Sequence, residues 1–180
     1  MIIGTKELLQ LVKEKKLVEN LDERELTNPE GAGFDLRAGE FLKLKPGEAL
    51  LGVSERHTPE TESVAKYGIH KDIVIKPGEY FLVKTMEKLN LPHNIAIHDL
   101  KPRSTLQRCG LSFHRAPVHP GYCGELIFGI KNEGANEVRI ELGARFSHAQ
   151  FCYCGENVRS YEGQWQHGRV STEGIKEKQI

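Results

Sequence analysis

Apolar residues recur along this chain with two different periods. Over residues 5–21, Leu8, Leu9, Leu11, Val12 and Leu17 make a stripe among lysines and glutamates, the spacing of a helix that buries one face. Thr5 stands where an N-cap hydroxyl could accept from the first free amides. Beyond this helix the period falls to two. FLKLK, ALLGV, DIVIK, EYFLVKT, NIAIHDL, ELIFGIKN, EVRIEL and ARFSHAQFCYC are short runs with alternation or β-branched and aromatic enrichment, parted by turn residues. Two partings carry the same tetrapeptide, Lys45-Pro46-Gly47-Glu48 and Lys76-Pro77-Gly78-Glu79, where proline fixes φ and glycine accepts the positive φ of a type II turn. The pattern predicts a mainly β fold, a sandwich or jelly-roll barrel preceded by one helix. Residues 54–72 are polar and weakly patterned, which predicts a surface loop. From Gly155 onward no apolar run occurs, and residues 155–180 are expected to form a mobile tail.

Composition narrows the function classes. The 180 residues, 38% hydrophobic, suffice for one substantial core, so residues 1–154 are expected to be a single domain. Twenty-five basic and twenty-five acidic residues cancel, which argues against a nucleic-acid or membrane partner and confines any phosphate site to a local pocket. No apolar run approaches the ~18 residues of a membrane span, and MIIGTKELLQ is not a signal segment, so the expected location is cytoplasmic. Cys109, Cys123, Cys152 and Cys154 form neither a secreted framework nor paired C-x-x-C knuckles. No H-x-E with P-C-x-x-C occurs, which excludes zinc-dependent nucleobase deamination.

The segment KPRSTLQRCGL carries the densest chemistry. Pro102 suits the first turn of a short helix, and Ser104 and Thr105 can cap its free amides. Those amides, the Ser104 hydroxyl and the Arg103 guanidinium would make an anion-binding nest, with Arg108 a turn further on. A capped helix with solvent-facing arginines fits the same letters.

This segment resembles the P-R-S-S-L-x-R-x-G signature of the dCTP deaminase/dUTPase family. Gly31–Ala38 (GAGFDLRA) resembles its first motif, APVHPGYCGELIFGIKN its substrate hairpin, and GARFSHAQF its G-x-R-I-A-Q-L strand. The stretch PGEYFLVKTMEKLNLP is similar to the approach to the signature in archaeal dUTPases. The resemblance implies a distorted jelly-roll, a homotrimer with shared sites, and a deoxyribonucleoside triphosphate bound with Mg²⁺ that is held through the substrate phosphates. It further implies that Arg103, Ser104, Thr105, Gln107 and Arg108 serve the phosphates, that Tyr122 lies under the deoxyribose, and that Asp35 is the structural or metal-side carboxylate. An Asp satisfied by nearby backbone amides is the plainer alternative for Asp35.

Two departures from the family pattern bear on the reaction. The deaminating glutamate, seven residues beyond the hairpin tyrosine, is replaced by Gly129, and Glu125 lies about 13 Å away along a strand, too far to substitute. The water-orienting aspartate of the hydrolases is replaced by His119, which can act as a base near neutral pH or simply fill its turn. His148 stands at the glutamine of the fourth motif. YEGQWQHGRVS resembles the deaminase tail, with Trp165 and Arg169 able to close over a nucleotide. The leading expectation is a dUTP diphosphatase with His119 and Asp35 in the catalytic centre; a dCTP deaminase and a silent nucleotide-binding homologue are the alternatives.

Overall fold

A computed structural model describes residues 1–179. In chain order the elements are α1 (Thr5–Lys15), β1 (Val18–Glu19), α2 (Glu23–Thr27), β2 (Phe34–Leu44), β3 (Leu50–Leu51), β4 (Glu55–His57), β5 (Thr61–Lys66), β6 (Asp72–Ile75), β7 (Tyr80–Asn90), β8 (Ile95–Pro102), α3 (Ser104–Arg108), β9 (Leu111–His114), β10 (Cys123–Asn132), β11 (Val138–Glu141), β12 (Arg145–Tyr153) and β13 (Glu177–Lys178). The mainly β expectation holds. Eight strands form one antiparallel sheet in the order β8-β12-β2-β7-β10-β9, with β1 added to β7 and β5 to β2. A bridge between Ile97 on β8 and Val118, just ahead of β10, draws the two ends together into a nearly closed barrel. The pairs β11–β6 and β13–β4–β3 make two smaller sheets.

Alternation on β7 shows why the barrel forms. Phe81, Val83 and Leu89 point inward, while Leu82, Lys84 and Lys88 lie on the outer face. Phe34, Phe41, Phe128, Phe146 and Phe151 are fully buried, each contributing roughly 1.5–3 kcal/mol by the area it removes from water. Phe128 stacks on Phe113 at 4.8 Å and meets Phe146 edge-on at 5.3 Å. The N-terminal residues run beside β12: Ile3 donates its amide to Phe151 (2.9 Å), and Met1 accepts from Tyr153 (3.0 Å).

Several local expectations need correction. The helix ends at Lys15, well before residue 21, because Lys16 turns left-handed (φ 51°, ψ 41°) and its amide closes on the Leu11 and Val12 carbonyls. Leu17 and Val18, buried at 0% and 2% exposure, then join the sheet, so the apolar stripe continues after the helix has stopped. Thr5 is the first helical residue; Gly4 is the N-cap, and no side chain caps it. Residues 54–72 are not simply a loop, since they contain β4 and β5. Most β5 side chains face solvent with only Ala65 buried, which leaves its sequence without an apolar signature. Gly78 takes φ 82° in a turn closed by the Glu79 amide on the Lys76 carbonyl (3.0 Å), whereas Gly47 adopts no positive φ. The first Lys-Pro-Gly-Glu is therefore not a type II turn; the Lys45 amide bonds to Glu60 across the strand pair instead.

Residues 155–179 lie against the barrel. Thr172, 1% exposed, exchanges bonds with Thr58: each amide donates to the other's hydroxyl, at 2.8 and 2.9 Å. Strand β13 pairs with β4, and Ile180, the last residue of the expected tail, lies outside the described residues. Among the described residues no helix is long and apolar enough to cross a membrane.

Candidate functional site

The sequence-predicted residues fall into two groups. The first gathers where β2, β12 and β8 run side by side. Asp35 sits opposite His148 in the β2–β12 register, and His148 opposite Lys101 in β12–β8, which brings the end of β8 and the start of α3 to the same corner. Asp35 is 3% exposed. Its Oδ1 is bonded to His148 Nδ1 (2.9 Å), and its Oδ2 accepts from Arg145 (3.1 Å) and from Arg103. Burial pushes the Asp35 carboxyl up, but the His148 bond and the Arg103 and Arg145 charges together outweigh it and hold the group below its usual value. The Asp35 amide donates to buried Glu25 (3.0 Å), which Arg24 also holds at 2.7 Å.

Asp35 is thus satisfied by side chains rather than by backbone amides. With Oδ1 bonded to His148 and Oδ2 held by Arg103 and Arg145, it does not fit a metal ligand. Among the described residues no three or more His, Cys, Asp or Glu side chains converge as a metal site. Pro102 closes β8 instead of opening the helix; Arg103 is the N-cap, in extended conformation and without a side-chain cap bond. Ser104 and Thr105 accordingly do not cap. They, Gln107 and Arg108 are exposed on a single turn of helix.

The second group surrounds a pocket of about 360 Å³ at the β10 hairpin, lined among others by Leu82, Ile127, His119, Tyr122, Trp165 and Arg169. Tyr122 is buried and donates its hydroxyl to the Glu125 carbonyl (2.6 Å); burial pushes its pKa up to about 12, so it is a neutral hydroxyl. His119 is exposed at the rim, its ring stacked on Tyr161 at 6.1 Å and 20°. Tyr161 belongs to the C-terminal segment, which is fastened to the hairpin by Gln166. That side chain accepts from the Cys123 amide (2.8 Å) and donates to the Gly121 carbonyl (3.0 Å). Gly124 and Gly168 approach so closely that a Cβ on Gly124 would stand 2.3 Å from the Gly168 amide. Trp165 lies under the Arg56 guanidinium at 4.4 Å, with Arg169 at 5.6 Å.

Gly129 on β10 is buried, and the space beside it is filled. The Tyr80 hydroxyl would lie 2.2 Å from a Cβ placed there. Glu125 is paired with Lys84 (3.7 Å) and is not simply solvated. Arg145, Glu25, Arg56, Tyr161 and Gln166 were not singled out as site residues by sequence reasoning. Arg145 lies within GARFSHAQF, so its signal is present in the motif; Arg56 sits in a polar segment with none.

Comparison with known proteins gives the family and the fold. Residues 2–153 match the family model described as dCTP deaminase-like. A dCTP deaminase of Pyrococcus furiosus is 31% identical over 156 residues, 86% of this chain and 87% of its own. A probable deoxyuridine 5'-triphosphate nucleotidohydrolase of Methanopyrus kandleri is 30% identical over 151 residues, 84% of this chain and 94% of its own. A dUMP-forming dCTP deaminase of Dictyoglomus turgidum is 26% identical, covering 84% and 79%. Among solved structures, the 2'-deoxycytidine 5'-triphosphate deaminase of Agrobacterium tumefaciens superposes with a TM-score of 0.62 at 16% identity, over 83% of this chain. This chain spans about half, 48%, of that structure's chain.

Proposed function

Because the chain belongs to the dCTP deaminase-like family, we propose that it is an enzyme of pyrimidine deoxyribonucleotide metabolism that hydrolyses dUTP to dUMP and pyrophosphate. The observation that carries this reading is the hairpin pocket, with Tyr122 buried in its wall, His119 exposed at its rim, and no carboxylate at position 129. In this reading the sugar packs on Tyr122, where an aromatic wall disfavours a 2'-hydroxyl. His119 accepts a proton from the water that attacks the α-phosphorus, the bond to the bridging oxygen breaks, and pyrophosphate departs. Arg103, Ser104, Thr105, Gln107 and Arg108 serve the phosphates, and Asp35 acts by positioning Arg103. Mg²⁺ carried by the nucleotide would neutralise charge on the phosphate oxygens.

None of the Arg103 group lines the pocket of the same chain, so the reading requires a neighbouring copy to bring the two groups together, as in a homotrimer. Deamination of dCTP has the names of the Pyrococcus and Dictyoglomus relatives in its favour. Against it stands Gly129, with the Tyr80 hydroxyl where a side chain would begin. Incubation with each dNTP and Mg²⁺, followed by product separation, tests the proposal: dUMP with pyrophosphate is expected. Ammonia would establish the deaminase, and no turnover with retained binding would establish a silent homologue.

A further inference from the structure

Arg56 is a largely buried cation that, among the described residues, has no hydrogen-bonded carboxylate. Its side chain is 14% exposed, its guanidinium lies over Trp165, and its Nε and Nη2 are fully buried with no hydrogen-bond acceptor among the described residues. The nearby Glu177 Oε2 is 3.7 Å from Nη2, beyond hydrogen-bond reach. Buried N–H groups left in this way are costly and ordinarily have an oxygen to serve them. Glu177 gives its two oxygens to Arg169 instead, one of them at 3.2 Å. One carboxylate therefore answers two guanidinia around the same indole, and the trio carries one net positive charge beside the pocket that Trp165 and Arg169 line.

We propose that Arg56 and Arg169 form an oxyanion subsite for a phosphate group, and that Glu177 is its intramolecular stand-in, displaced when the phosphate binds. A phosphate offers more oxygens than a carboxylate, enough to meet both guanidinium forks at once. The register supports the exchange. Glu177 is the direct β13 partner of Arg56 on β4, so its carboxylate can leave while the Thr58–Thr172 and Gln166 bonds hold the rest of the segment. Only the identity of the natural ligand, a nucleotide, rests on the proposed function; the subsite itself is tested with an inorganic anion.

Trp165 is the only tryptophan in the chain, so its emission reports on these guanidinia and on the pocket that it lines. The full chain is titrated with inorganic pyrophosphate against sodium chloride of matched ionic strength. A saturable change in emission is expected. Glu177→Gln should tighten binding about five-fold by removing the competing charge, and Arg169→Ala should weaken it about ten-fold or more. Arg56→Lys keeps charge and packing but loses the fork, and should also weaken binding. Circular dichroism checks that each variant is folded. His119→Ala should leave the emission response to pyrophosphate intact while impairing dNTP turnover, which separates failure of this subsite from failure of the proposed reaction. No saturable response, a Glu177→Gln variant that binds no more tightly than the parent, or a response abolished by Arg103→Ala and untouched by Arg169→Ala would each overturn the proposal.

Discussion

Removing the carboxylate of Asp35 strands Arg103, Arg145 and His148 around an uncharged amide. Asp35→Asn should cost about 3 kcal/mol, the low end for breaking a buried pair, because Arg103 and Arg145 keep 34% and 31% of their side chains in water. The folded Asp35 value is depressed below the unfolded one of about 3.9, so its stabilisation is complete above that value and lost as pH falls through the folded value. Urea denaturation at several pH values should find a constant gap between parent and variant from neutral pH to about 5, closing under more acid conditions. At the rim of the pocket, His119→Ala should lower the rate of pyrophosphate release about 10²-fold or more with little change in nucleotide affinity, and His119→Asp should retain activity. Calorimetry beside the rate assay separates the two quantities; a fully active His119→Ala would place the base elsewhere. Gly129→Ala should cost about 1–2 kcal/mol by driving a methyl into the Tyr80 hydroxyl. Tyr80→Ala in the same chain should relieve much of that cost, a non-additivity that thermal melts of the single and double variants would reveal. Asp35, Arg103 and His148 could be named from their motifs, but no spacing announces that residues so far apart in sequence share one buried carboxylate. Arg145 and Glu25 completed the cluster only when β2, β12 and β8 were laid side by side.

Among the elements, legibility followed burial. EYFLVKT reads as a strand because β7 has one face in the core and one toward solvent, so its letters alternate. β4 and β5 are outer strands held mainly by backbone pairing, and a sequence under no apolar demand records no period. The same holds for the C-terminal segment. Its attachment is a set of polar bonds, from Thr172, Gln166 and the β13 pair, and polar letters alone read as a tail. Thr172→Val should test how firmly it is held. The substitution keeps the shape but leaves the Thr58 amide without its acceptor, at a cost of about 1–3 kcal/mol. Limited proteolysis should then cut within residues 155–179 faster, with the barrel itself unaffected. Equal cleavage rates in parent and variant would show that the Thr58–Thr172 exchange does not fasten the segment.

At the scale of the whole molecule, the Arg103 group does not line the Tyr122 pocket, so the proposed function would make assembly a condition of activity. Light scattering coupled to sizing should find a trimer at micromolar concentration. Arg103→Ala and Tyr122→Ala chains, each inactive alone, should complement when mixed under conditions that exchange subunits. Random mixing would rebuild about a quarter of the sites, since a whole site then needs an intact hairpin from one chain and an intact arginine from its neighbour. A mixture as inactive as its components would refute the shared site. The barrel also constrains how the chain comes to be folded. Met1 and Ile3 bond to Tyr153 and Phe151, and the bridge from Ile97 to Val118 draws the sheet ends together. The earliest residues therefore cannot gain their native partners until the chain has been made through β12. Folding should be governed by long-range closure and be slow for its size, and nascent chains that stop short of β12 should expose Phe34 and Leu36 as an unpaired, aggregation-prone edge.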